Sequence, residues 1–164
     1  MIKSENITIN TSFEVYQNET DLPKNDLELL EKAKEACTKA YAPYSNFYVG
    51  AALLLDNGVI VTGNNQENAA YPSGLCAERT AVFYASSQYP KAKVKTIAIA
   101  YQSSDSKFQE PITPCGACRQ VLAEYEVRAE SPIRMIMASR GGKTYVSKSI
   151  ENLLPVMFNR QYLK

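Results

Sequence analysis

The 164-residue chain contains no histidine. That absence removes Ser-His-Asp triads, Cys-His nucleophiles, His-rich zinc sites and histidine pH switches. Chemistry, if present, must run on cysteine, carboxylate, lysine, arginine or tyrosine. A charge excess is missing too: 18 basic against 17 acidic residues leave a formal charge of +1. This argues against a nucleic-acid or anionic-membrane surface held by bulk charge. No stretch approaches the roughly 18 consecutive apolar residues of a membrane span. The polar opening Met1-Ile2-Lys3-Ser4-Glu5-Asn6 starts no signal-peptide core. The sequence therefore predicts a cytoplasmic protein, a compartment where disulfides are rare. The Asn-x-Ser/Thr matches at Asn6, Asn10 and Asn18 then read as chance in an Asn/Thr-rich segment.

Apolar residues make up 45% of the chain, which is ordinary globular composition and enough for one domain with a sizeable core. Residues 1–24 read as an N-terminal extension, with Phe13-Glu14-Val15-Tyr16 as a short edge strand or a loosely held arm. Residues 25–164 read as a single domain. Asn25 with Glu28 forms a capping box for a helix whose apolar face is Leu27, Leu30, Ala33, Cys37, Ala40 and Tyr41, stopped before Pro43. A hairpin follows: Tyr48 to Leu55, the turn Asp56-Asn57-Gly58, and Val59 to Thr62. Leu75 to Gln88 is helical, Val94 to Tyr101 a buried strand, and Ser103 to Lys107 a loop. Thr113 and Pro114 suit the cap and first position of a helix running to about Tyr125. Ile133 to Ala138 and Thr144 to Val146 are strands around a Gly141-Gly142 turn, and Ser149 caps a short helix ending before Pro155. The expected fold is α/β, a three-layer α/β/α sandwich with a mixed sheet of about five strands.

Three of the four cysteines fall at helix starts: Cys76 in Cys-Ala-Glu-Arg, and Cys115 and Cys118 in Pro-Cys-Gly-Ala-Cys-Arg. The second pair is three residues apart, on one face of a first turn. Helix N-termini stabilise thiolate. Two such ends brought together would make a three-thiolate zinc site with a position left for water, the pattern of catalytic zinc. Three thiolates on Zn²⁺ leave the unit at −1, so the charge needs balancing. Arg79 and Arg119, each next to motif residues, are candidate donors to the sulfurs. Glu78, two residues after Cys76, is a candidate general base and acid. Two blander readings stay open: a redox Cys-x-x-Cys pair, and a structural Cys₄ site completed by Cys37. Cys37 lies among the apolar residues of its helix, where a buried free thiol is the commoner role.

The chain resembles the cytidine deaminases, from about Leu27 to Phe158. The matching blocks are Ala42-Pro43-Tyr44-Ser45-Asn46-Phe47, Val49-Gly50-Ala51-Ala52, Asn65-Gln66-Glu67-Asn68-Ala69, Cys76-Ala77-Glu78-Arg79-Thr80, Pro114-Cys115-Gly116-Ala117-Cys118-Arg119-Gln120, and Leu153-Leu154-Pro155 followed by Phe158. The resemblance implies a cytidine deaminase-like fold over residues 25–164 and one zinc ion per subunit on Cys76, Cys115 and Cys118. It implies hydrolytic deamination of cytidine and deoxycytidine in pyrimidine salvage. Glu78 would take a proton from the attacking water, deliver it to N3, and help carry a proton to the leaving ammonia. Asn65 and Glu67 match the ribose-binding pair, Phe47 the aromatic that packs on the base, and Ala77 a backbone contact to the pyrimidine edge. Tyr71 and Phe158 resemble aromatics that reach a neighbouring subunit's site, and Gln120 a donor to a zinc sulfur. Short members of this kind resemble homotetramers with shared active sites. Two departures stand out: the longer N-terminal segment, and the tail Asn159-Arg160-Gln161-Tyr162-Leu163-Lys164, where many relatives are acidic.

Three rival functions differ in what they require. A deaminase of another cytosine nucleoside, such as blasticidin S, would share the zinc and glutamate motifs. It would lack the Asn65/Glu67 pair and the Tyr-Ser-x-Phe segment. Polynucleotide editing would bring a histidine ligand and a basic excess. A non-enzymatic zinc-binding module would need the cysteines but not Glu78, Asn65 and Glu67 together. A small-molecule nucleoside substrate, without nucleic acid or membrane partners, is the expectation.

Overall fold

Val49 to Leu55 is a nearly unbroken apolar run, stable as a strand only where both faces are covered. In the computed structural model, which describes residues 4–103 and 109–163, it is the body of β2 (Phe47–Leu55). β1 (Glu14–Tyr16) precedes it in the chain. β3 (Ile60–Asn64) returns antiparallel beside β2 after a turn in which Gly58 takes φ 84°. β4 (Val94–Ser103) pairs antiparallel on the other edge of β2. β5 (Arg134–Ala138) runs parallel to β4, and β6 (Thr144–Ser147) antiparallel to β5. The sheet order is β1-β6-β5-β4-β2-β3.

Side chains alternate between faces along each strand. On one face, Ala52, Ala98, Ile136 and Val146 pack under α1 (Lys24–Cys37), which contributes Leu29, Leu30, Ala33 and Cys37. On the other, Leu53, Ile97, Ile99 and Met135 pack under α2 (Ala77–Gln88) and α3 (Gly116–Ala129), which contribute Val82 and Leu122. The three-layer α/β/α expectation holds, with six strands instead of about five. The sixth is β1, pinned to β6 by the register Glu14↔Val146, Val15↔Tyr145, Tyr16↔Thr144. No helix among the described residues is long and apolar enough to cross a membrane.

Several element ends differ from the sequence expectation, each for a local reason. α1 starts at Lys24 with Pro23 as its cap residue, and no side-chain cap bond forms. The Pro23 carbonyl accepts from the amides of Asp26 and Leu27 at 2.9 and 3.0 Å, so the fixed proline φ starts the turn before Asn25 can cap it. The helix ends at Cys37, and Ala40 and Tyr41 leave its face. Tyr41 is captured by β-type bonds, donating to the Asn65 carbonyl and accepting from the Glu67 amide. α2 begins after Cys76, because Leu75 exchanges two bonds with Gln66. α3 begins after Cys115, not at Pro114, and runs four residues beyond Tyr125 to Ala129. It closes on Glu130 in the left-handed region. Ser149 is not the cap of the following turn: its Oγ accepts from the Glu151 amide at 3.0 Å, but the cap position falls on Ile150 and has no side-chain bond. That turn is a single 3₁₀ turn, Glu151–Leu153. Ser103 closes β4, and the rest of the expected loop (104–107) lies outside the described residues, as do Met1, Ile2, Lys3 and Lys164.

Candidate active site and metal centre

α2 and α3 lie on the same face of the sheet and bring their N-termini together. Cys76 is the cap residue of α2, Cys115 that of α3, and Cys118 lies in the first turn of α3. Neither cap is filled by a side-chain hydrogen bond, so free N–H groups and the positive dipole ends remain available to the sulfurs. The three Sγ atoms all lie within 4.8 Å of one another, with Cys76 and Cys115 at 3.8 Å. Tetrahedral zinc with Zn–S bonds of about 2.3 Å holds its sulfurs about 3.8 Å apart, so the cluster fits that ion.

The placement of α2 is set by Gly63 on β3. A Cβ there would stand 2.5 Å from the Ala81 amide nitrogen and 2.7 Å from the Ala77 carbonyl. Only a residue without a side chain lets the first turn of α2 lie this close to the sheet. Sequence reasoning did not single out Gly63. Its signal was a glycine inside a β-rich run.

Electrostatics within the cluster are uneven. Cys76 is pulled down to about 5 by a hydrogen bond from Cys118, against burial, and then by Arg79 and Cys115. Cys118 is pushed in the opposite direction, as the buried donor to Cys76 and a neighbour of Glu78. Arg79 Nη2 donates to Cys76 Sγ at 3.8 Å. Its Nε is buried and has no hydrogen-bond partner among the described residues, a spare donor in a cluster that carries negative charge. Glu78 is only 4% exposed. Burial, followed by the charge of Cys76, pushes its carboxyl up to about 6.

A cavity of about 440 Å³ opens beside Cys76 and Arg79, which line it together with Asn65, Glu67 and Tyr71 among others. Asn65 is braced by β2, accepting from the Val49 amide at 2.7 Å and donating to the Phe47 carbonyl at 2.9 Å. That leaves one amide N–H and one lone pair for a ligand. Glu67 accepts from the amides of Tyr44 and Ser45 at 2.9 and 3.3 Å, and from the Ser45 hydroxyl. These bonds, the hydroxyl's first, hold its carboxyl below the usual range. Ser45 is thus a site residue whose role the motif alone did not reveal. Tyr71 is 74% exposed at the cavity mouth and meets Tyr44 edge to face at 6.1 Å. Ala77 is fully buried at the start of α2. Phe47 is half-buried and stacks on Tyr101 at 5.0 Å.

Two expected donors to the sulfurs, Arg119 and Gln120, lie elsewhere. Arg119 does not turn to a sulfur. Its Nε donates to the Pro114 carbonyl at 2.9 Å and its Nη1 to the Leu153 carbonyl at 3.0 Å, bracing the Cys115 turn from the protein side. Gln120 also misses the sulfurs, donating to the Phe158 carbonyl at 2.9 Å. Phe158 is exposed and stacks on Tyr162, outside the lining of this chain's own cavity. Cys37 stands apart from the cluster, fully buried and bonded to the Ala33 and Ala100 carbonyls. That removes it as a fourth ligand.

Residues 23–131 match the family model described as the cytidine and deoxycytidylate deaminase zinc-binding region. The chain is 47% identical over 96 residues to a cytidine deaminase of Halalkalibacterium halodurans, covering 58% of this chain and 68% of that one. The crystal structure of cytidine deaminase from Burkholderia pseudomallei superposes with a TM-score of 0.69 at 38% identity, covering 84% of this chain and all of that one. A blasticidin-S deaminase of Bacillus cereus is 29% identical over 142 residues, 85% of this chain and 96% of the other. Three thiols on two helix ends, a buried glutamate beside them and these matches agree, and the chain belongs to the zinc-dependent cytidine deaminase family.

Proposed function

We propose that the protein hydrolyses cytidine and deoxycytidine to uridine and deoxyuridine with release of ammonia, in pyrimidine salvage. The observation that carries this reading is the buried Glu78 carboxyl in the first turn of the helix that also supplies Cys76. Cys76, Cys115 and Cys118 would hold the zinc, which when bound supplies the Lewis acidity that makes water nucleophilic near neutral pH. Glu78 takes the proton of the attacking water and gives it to N3 of the pyrimidine as C4 accepts the oxygen. It then helps deliver a proton to the departing ammonia, and C4 becomes a carbonyl. One buried carboxylate thus works as base and acid in turn, in a chain without histidine. Arg79 offsets the charge of the three thiolates through Cys76.

Asn65 and Glu67 would bind the ribose with the hydrogen-bonding capacity their backbone contacts leave free. Phe47 would pack against the base, and the Ala77 backbone would meet the pyrimidine edge. The open cavity mouth and the exposed Tyr71 and Phe158 support a homotetramer in which these aromatics reach a neighbour's site. Residues 25–164 would act as the deaminase domain and residues 1–24 as an extension to it.

The test is the ultraviolet loss of cytidine with the purified zinc-loaded protein, alongside deoxycytidine, cytosine, CMP and blasticidin S. Turnover of the two nucleosides, with cytosine, CMP and blasticidin S left intact, is expected. Selective turnover of blasticidin S would overturn the substrate assignment. No turnover of any of the five, with zinc bound, would favour a non-enzymatic zinc module.

A further inference from the structure

The N-terminal segment carries a pattern that nothing in the active site uses. From Asn6 to Val15 the residues alternate: Ile7, Ile9, Phe13 and Val15, with Thr11 at the centre, occupy odd positions, and Asn6, Thr8, Asn10, Ser12 and Glu14 the even ones. This is the signature of a half-buried strand. Only Glu14–Tyr16 are paired as a strand, to β6. The odd side chains stay in water: Ile7 is 88% exposed, Ile9 53% and Val15 49%. Phe13 lies 6.2 Å from Tyr145, which puts the stripe on the sheet face that carries α2 and α3.

The backbone shows which edge is free. Ser12 is bonded on the β6 side through both its groups, its amide to Asn152 Oδ1 at 3.1 Å and its carbonyl to Asn152 Nδ2. In an extended chain successive residues direct these groups to opposite sides. The amides and carbonyls of Thr11, Phe13 and Val15 therefore face outward, where β1 has no neighbour in the sheet order. No proline, lysine or glycine blunts this edge between Asn6 and Tyr16, and no charge lies between Asn6 and Phe13.

We propose that this edge pairs antiparallel with the same edge of a second copy of this chain, about a two-fold axis at Thr11. The pattern selects that occupant because it is self-complementary. Centring on Thr11 sets Ile9 opposite Phe13 and Ile7 opposite Val15, with every apolar side chain on one face. It also makes these pairs, and Thr11 with its own copy, the ones in which both partners turn their backbone groups toward each other, the even residues between them forming the non-hydrogen-bonded pairs. The one charge in the paired span, Glu14, is met by Arg134 and Lys148 of its own chain, so the edge gives little purchase to a charged partner, whereas an isologous contact needs only its own copy. The two six-stranded sheets would become one continuous sheet. This pairing does not depend on the deaminase reading.

Cysteine cross-linking of the full-length, zinc-loaded protein tests the register. Thr11→Cys sets two thiols directly opposite, within the Cα span of about 4.4–6.8 Å that a disulfide accepts. Asn10→Cys sets them diagonal across the axis, with Cα atoms roughly 7–8 Å apart, beyond the disulfide limit of about 7 Å. Mild oxidation should give a covalent dimer of Thr11→Cys on non-reducing gels and leave Asn10→Cys and the wild type monomeric. Adding Ile9→Asp to Thr11→Cys should slow dimer formation about tenfold or more by placing a charge opposite Phe13. Failure of Thr11→Cys to cross-link would overturn the proposal. So would equal cross-linking at positions 10 and 11, a rate unchanged by Ile9→Asp, or a disulfide from the introduced thiol to a native cysteine.

Discussion

Glu78 and Cys37 are both buried ionisable groups, and their surroundings give them opposite fates. Burial pushes the Cys37 thiol up to about 11, and its neighbours are two backbone carbonyls that accept from the protonated form. It stays a thiol and stays inert. Burial holds Glu78 at about 6, beside the sulfurs of Cys76 and Cys118 and the Arg79 guanidinium, where either protonation state is within reach. Replacing Glu78 with Gln keeps the volume and removes the proton relay. We expect the Glu78→Gln variant to retain one zinc per subunit by atomic absorption and to lose turnover by at least about 10²- to 10⁴-fold. Near-normal kcat in the zinc-loaded variant would contradict the mechanism. The three-thiol cluster was legible in the sequence because cap positions and a three-residue spacing put Cys76, Cys115 and Cys118 at two helix starts, and the deaminase resemblance joined the two starts in one site. Arg119 and Gln120 were not legible. Adjacency to a ligand along a helix does not aim a long side chain, and each found a carbonyl more than thirty residues away.

At the scale of elements, the site depends on how closely two helices lie on the sheet. Gly50 and Gly63 mark the two closest approaches, to α1 and α2 respectively. A methyl at position 63 would meet backbone atoms of α2, which cannot rotate aside as a side chain would. Gly63→Ala must therefore lift the first turn of α2, which follows the cap residue Cys76 and carries Glu78. We expect a loss of about 1–3 kcal/mol in stability and faster zinc loss to a chelator, with α3 and its two cysteines unmoved. Retention of wild-type stability and zinc release rate would show that α2 is not seated by this contact. The strands and helices themselves were legible from periodicity, while their ends were not. Pro23, Leu75 and Tyr41 are each claimed by long-range or backbone partners that local propensity does not contain. α3 overruns because Glu126, near its end, is held by four donors. They are the amides of Ile133, Ile150 and Glu151 and the Ser149 hydroxyl, which tie the helix to the segments before β5 and after β6.

At the scale of the whole molecule, the surface around the site has features that a site shared between copies would use. The cavity beside the thiols is open, Tyr71 projects at its mouth, and Phe158 is anchored by Gln120 while its ring stays exposed. α2 also turns Phe83 and Tyr84 outward. Apolar surface of this kind on the site-bearing layer fits contact with other copies. The proposed tetramer should sediment near four times the 18.2 kDa chain mass. Mixing variants separates shared sites from self-contained ones. Phe158→Ala would weaken the site of a neighbour, and Glu78→Gln would disable the subunit's own site. Each protein alone should be poorly active. If Phe158 acts in trans, dissociating and reassembling a mixture creates sites that combine an intact Glu78 from one subunit with an intact Phe158 from the other. Activity should then rise well above the mean of the two parents. If each chain completes its own site, every intact Glu78 in the mixture belongs to a subunit lacking Phe158, and no rise can occur. Sedimentation of a stable, fully active monomer would rule out the shared arrangement independently of the mixing result.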